Sequence, residues 1–109
     1  MGRESLGEFE QLVLLAILRL GSEVYGVPIV QEIEERTGRS VSRAAVYIAL
    51  RRLQGKGLVS SWMADPTPER GGRAKRFFRV EPAGLELVKD SRRALVRMWE
   101  DLEPVLEDQ

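Results

Sequence analysis

The side chains that carry most protein chemistry are missing from this chain. It holds no cysteine, which excludes disulfides and thiolate metal sites, and no histidine, which removes the commonest general base, metal ligand and near-neutral switch. The acidic pair Glu34-Glu35 has nothing nearby to push its two pKa values apart, so it reads as a solvated face rather than a catalytic dyad. Gly71-Gly72 is a turn signal in a basic stretch, without the spacing of a phosphate loop. An enzyme built from these residues would rest on an unassisted carboxylate or lysine. The expectation is no catalysis, no metal and no cofactor.

What the residues can do is hold a polyanion. Arg43, Tyr47, Arg51 and Gln54 recur at helical spacing and form one stripe without a carboxylate. Ordinary exposed helix faces mix both signs, because opposite charges one turn apart support the helix. A second basic group, Arg70, Arg73, Lys75 and Arg76, follows within residues 64–76. Guanidinium groups make paired hydrogen bonds to phosphate or to guanine edges, and narrow minor grooves attract arginine. The competing readings are a solvated helix face for the first group and a flexible solubilising loop for the second.

The charge layout supports the polyanion. Formal net charge is zero, yet residues 36–79 hold eleven basic and two acidic residues, leaving six basic and fifteen acidic for the remainder. Such asymmetry focuses a positive field that steers association with nucleic acid even when the whole chain is neutral.

These residues need elements to position them. At 109 residues, 43% apolar and 31% charged, the chain suits one domain with a modest core. Its longest apolar run, residues 12–18, is far short of the about 20 residues of a membrane span, and no secretory leader is evident, so the expected compartment is the cytoplasm. The spacing predicts a first helix over residues 6–20, opened by a Ser5…Glu8 capping box and stopped by Gly21. Because Leu14, Leu15 and Leu18 widen its apolar face, it is either deeply buried or meets a second subunit. A second helix starts at Tyr25-Gly26-Val27-Pro28, turns Ile29, Val30 and Ile33 inward, and ends at Gly38. Ser42 caps the third, which buries Val46, Ala49, Leu50 and Leu53 and carries the cationic stripe outward. Residues 58–63 and 76–81 read as strands around the basic loop, with Phe78 and Val80 on one face and Phe77 and Arg79 on the other. The expected fold is mainly α with a small β-wing: a winged helix-turn-helix over residues 1–81, then a long C-terminal helix over residues 82–109.

That last helix spaces Leu85, Val88, Arg92, Leu95, Trp99, Leu102 and Leu106 as a heptad seam, interrupted once by Arg92. Leu85, Val88, Leu95, Trp99 and Leu102 are therefore expected at a homodimer interface, with Pro104 ending the helix near Glu103. The alternative is a seam packed only on the first helix of its own subunit.

The sequence resembles the PadR family of bacterial winged-helix transcriptional regulators over nearly its whole length. The resemblance rests on EFEQLVLLAILRL, YGVPIVQEIEERTG, AVYIALRRLQGKGLV and GGRAKRFFRVEPAG in that order, with Tyr25-Gly26 and Tyr47 in place. The single-helix tail is similar to that of the short subgroup. It implies a homodimer on double-stranded DNA at a palindromic operator, usually a repressor. Tyr25, Ser42 and Tyr47 match the DNA-contact positions, and Arg73, Lys75 and Arg76 match the cationic wing. Many relatives have a Ser-Pro-Gly-Thr-like run before the recognition helix and Pro after its Tyr. Arg43, Ala44, Ala45 and Ile48 stand there instead, so the operator does not transfer. Ile48 either packs or touches a thymine methyl. In parts of the family, aromatic side chains near the dimer interface form a flat pocket for planar hydrophobic effectors. That makes Trp99 a candidate effector residue, with Trp62 and Met98 as possible neighbours, unless Trp99 only fills the seam. The rival function is a winged-helix module for protein partners. Under that reading, replacing Arg73, Lys75 and Arg76 with Ala leaves partner binding largely intact.

Overall fold

The computed structural model describes residues 6–65 and 74–107. In chain order these form α1 (Glu8–Leu20), α2 (Gly26–Thr37), α3 (Arg43–Gly55), β1 (Val59–Met63), β2 (Arg76–Val80), α4 (Pro82–Trp99) and the single turn α5 (Glu103–Glu107).

The start of α1 departs from the expected capping box. The helix opens at Gly7, whose N–H donates to Glu10 Oε1 at 3.1 Å. Ser5 lies outside the described residues. Glu8 meanwhile faces away and takes both terminal nitrogens of Arg39, at 3.1 and 3.0 Å. The hydrogen bonds from Arg39, and then its charge, hold the Glu8 carboxyl below its usual range. Gly38 ends α2 in the left-handed conformation, at φ 74°, where a side chain would be strained. Ser42 caps α3 as expected, its Oγ accepting from the Ala45 N–H at 3.0 Å.

One core joins these helices. Val13, Leu14 and Ile17 of α1, Ile29 and Ile33 of α2, and Val46, Ala49, Leu50 and Leu53 of α3 are buried together. The apolar side of α3 is thus fully used, which fixes the rotation of the helix and turns its other side outward.

The hairpin is antiparallel, with Val59 opposite Val80, Ser61 opposite Phe78 and Met63 opposite Arg76. A third segment joins its other edge: the Phe78 N–H donates to the Val24 carbonyl at 2.8 Å. This bond ties the entrance of α2 to the wing. Both Phe77 and Phe78 are buried, although alternation predicted only one inward face. Phe78 joins the helical core, while Phe77 is covered on the opposite face by Tyr25 and by Trp62, with ring centroids 6.3 and 5.9 Å away.

Helix α4 has two halves. In the first, Gly84 is buried so tightly that a Cβ would strike the Leu58 carbonyl, and Ser91 Oγ donates to Gln11 Oε1 of α1 at 2.8 Å. Val88 belongs to the core of this chain at 9% exposure, which removes it from the outward seam where it was expected. From residue 92 to 107 every residue is exposed. The helix stops at Trp99, and Asp101 adopts a positive φ of 64°. The break thus precedes Pro104, which sits in the first turn of α5, and Leu102 falls in the connection. The seam of one continuous helix therefore ends at Trp99.

Candidate nucleic-acid interface

The outward side of α3 faces the hairpin across an open groove. Tyr47, Leu50, Arg51 and Gln54 of α3 line one wall, and Met63, Arg76 and Phe78 of the hairpin line the other. Register explains the wing's contribution, since Met63, Arg76, Ser61 and Phe78 share the sheet face turned toward α3. The two walls are joined by a relay. Arg76 Nη1 donates to Ser61 Oγ at 2.9 Å, and Ser61 Oγ donates to Gln54 Oε1 at 3.0 Å. With Oε1 accepting from Ser61, the Gln54 amide N–H groups have no partner among the described residues and can donate to an outside acceptor.

Tyr47 is seated rather than loose. Its hydroxyl lies against the Cα of Gly26, the first residue of α2, and its ring is 6.4 Å from that of Phe78. At 40% exposure it is half packing and half surface. Tyr25, the residue before Gly26, carries the Lys75 ammonium 4.6 Å above its ring centroid. Two tyrosines and a cation therefore converge on the N-terminal end of α2. Neither α2 nor α3 has an acidic residue in its first turn, although just ahead of α3 Glu34 Oε2 accepts from the Val41 N–H at 3.0 Å and so places one carboxylate near that helix start.

The cations do not all share one fate. Arg36 pairs with Glu32, Arg39 with Glu8, Lys56 with Glu10 and Arg79 with Glu81. Arg43, Arg51 and Arg52 are exposed and form no ion pair among the described residues. The excess positive charge of residues 36–79 is thus partly neutralised off the groove and left free on α3.

The expected site residues can now be placed. Tyr47, Arg51 and Arg76 come together in the groove, and Arg43 lies a turn before Tyr47 at the start of α3. Ser42 is exposed but its oxygen is engaged as the helix cap. Lys75 turns to the opposite sheet face from Arg76, toward Tyr25. Arg70 and Arg73 lie outside the described residues. Sequence reading missed the Ser61 relay and the Val24 bridge; it put Phe77 and Arg79 together on the outer wing face but did not join Trp62 to them, whose ring centroid lies 5.6 Å from Arg79. Period-two alternation along both strands, which puts Trp62 on the face of Phe77 and Arg79, was the available signal. On α4, Leu85 and Leu95 are exposed, as are Met98 and Trp99, the latter at 53%. Trp62 is engaged on the wing with Phe77 and Arg79, not as part of a cluster on α4.

Among the described residues no group of His, Cys, Asp or Glu is arranged to hold a metal, and no helix is long and apolar enough to cross a membrane. A three-helix body followed by a two-stranded wing is a winged helix-turn-helix. Residues 14–90 match the Transcriptional regulator PadR-like family, and the chain belongs to that family. It is similar to Transcriptional regulator Rv3488 of Mycobacterium tuberculosis, with 38% identity over 74 residues; the match covers 68% of this chain and 64% of that relative. A PadR family transcription regulator from hypervirulent Clostridium difficile shares the fold at a TM-score of 0.75 and 17% identity, covering 92% of this chain and 99% of that one. A PadR family regulator from Eggerthella lenta does so at 0.70 and 21%, covering 94% and 88%. The family and these relatives are transcription regulators, not enzymes.

Proposed function

We propose that this chain is a sequence-specific DNA-binding regulator that acts in the cytoplasm as a homodimer on a palindromic operator, most simply as a repressor. The observation that carries the reading is the groove in which Tyr47, Arg51 and Gln54 meet Arg76, beside arginines of α3 that no carboxylate among the described residues neutralises. In a helix-turn-helix, the N-terminal residues of the second helix contact base edges, and surrounding cations and helix N-termini hold phosphates. Arg43, Tyr47 and Arg51 take the first role here. Tyr25, Ser42, Lys75, Arg76 and the loop residues Arg70 and Arg73 take the second.

The dimer is supported by α4. Leu95, Val96 and Trp99 are apolar and exposed on a helix half that its own subunit leaves uncovered, and Leu15 and Leu18 of α1 are exposed as well. Residues 1–81 then read DNA and residues 82–109 pair the subunits, the first turns of α4 being shared with the core. Two-fold pairing sets the recognition helices about 34 Å apart, one turn of duplex. A planar hydrophobic effector stacking on Trp99 would act by binding two arrangements of the wings unequally. Such a ligand should quench tryptophan fluorescence, and Trp99→Phe should abolish the quenching.

Selection of bound fragments from random duplexes, followed by titration of the winning site, tests the proposal. If the dimer neutralises about eight phosphates, log affinity falls against log salt with a slope of about −7. A flat salt dependence, or a selection that enriches nothing, would overturn it.

A further inference from the structure

Beside the Arg43–Tyr47–Arg51 stripe runs a second one, Ala44–Ile48–Arg52, and its middle residue has no structural duty. Ile48 is 49% exposed and belongs neither to the buried cluster nor to the apolar residues packed against it. Its helical neighbours at one turn's distance are Ala44 before it and Arg52 after it, both exposed. Side chains on a helix lean toward its N-terminus, so the Ile48 methyls lie over Ala44, which offers only a single carbon in competition. That is the end of α3 whose residues approach base edges under the reading above. Ile is branched at Cβ and stiff, so little rotamer freedom is lost on contact. An aliphatic group at this point has one apolar counterpart in the major groove, the C5 methyl of thymine; the other base edges there present hydrogen-bonding atoms.

We propose that Ile48 is a specificity-determining residue that selects a thymine in each half-site by packing on its C5 methyl. The proposal rests on the DNA-binding reading and adds to it the base that is recognised.

Each thymine of the selected operator is replaced in turn by deoxyuridine, which removes the methyl group and nothing else. Duplex affinity is then measured by fluorescence anisotropy for the unaltered protein and for Ile48→Ala. At one thymine per half-site the unaltered protein should lose about fourfold, the equivalent of about 0.8 kcal/mol for one buried methyl group. The same replacement in both half-sites should lose about sixteenfold. Ile48→Ala should melt like the unaltered protein and bind the thymine and uracil duplexes equally at that position. The proposal is overturned if uracil is tolerated at every position, or if the penalty persists undiminished in Ile48→Ala. Failure of the underlying reading looks different: the unaltered protein then binds no duplex in a salt-dependent way.

Discussion

Gly26→Ala tests whether the groove is built by the seating of Tyr47 on α2. Gly26 does not need its freedom of φ, since the glycines with positive φ are Gly21, Gly38 and Gly57. What it provides is room. An added Cβ would collide with the Tyr47 hydroxyl and stand 2.8 Å from Cε2 of the same ring. Both atoms belong to the far part of a side chain that is 40% exposed, so the ring swings outward and α2 stays in place. The swing forfeits the contact with Phe78, at 6.4 Å between centroids, and such pairs are worth about 0.5–1.5 kcal/mol. The gain in helix propensity from Gly to Ala offsets part of that, at most about 1 kcal/mol. The melting temperature should therefore fall by a few degrees at most, about 4 °C per kcal/mol in a domain of this size. Duplex binding should suffer more, because the displaced ring enters the groove beside Arg51. A loss of about tenfold, or about 1.4 kcal/mol, is expected in anisotropy titrations. The two residues act through one contact, so in a Tyr47→Ala background the same change should be nearly silent in binding and neutral to slightly stabilising in the melt, where only the helix-propensity gain remains. Additive losses in that double variant, or a Gly26→Ala protein that melts and binds like its parent, would refute the seating argument.

Three further changes probe the remaining parts. Gly84→Ala drives a Cβ into the Leu58 carbonyl and to 3.1 Å from Val80 Cγ1; backbone does not swing aside, so thermal denaturation should show a loss of about 1–3 kcal/mol. Glu8 is held below its ordinary value of 4.5 by Arg39, so its contribution to stability is present above the unfolded carboxyl's pKa and disappears as pH falls through the folded one. Melts across that acid range should accordingly show the native protein and Glu8→Gln converging as pH drops, and a constant gap would contradict the pairing. Leu95→Asp places a charge on the exposed half of α4, where it should yield a monomer in sedimentation velocity while leaving the melt of the winged-helix body nearly unchanged.

What the sequence disclosed and what it withheld divide along the range of the interactions. The apolar face of α3, its Ser42 cap and the glycine that closes α2 are properties of a few neighbouring residues, and each stands as expected. The burial of Phe77 is different, because it depends on Tyr25, fifty-two positions earlier, being pinned to the sheet by the Val24 bridge. Likewise the Arg76–Ser61–Gln54 relay needs the hairpin register before any of its members can be matched. Charge shows the distinction most clearly. Counting residues 36–79 overstated the free cations, since carboxylates from the acidic remainder fold back onto several of them: Glu8 onto Arg39, Glu10 onto Lys56, Glu32 onto Arg36 and Glu81 onto Arg79. None of the four pairs uses a member of the Arg43–Tyr47–Arg51 stripe. A carboxylate reaching that stripe would have had to cross the groove mouth, and no acidic residue of the described chain lines the groove. The field that favours a polyanion therefore survives folding where the helix itself wrote it, and is cancelled where it was only a sum over sequence.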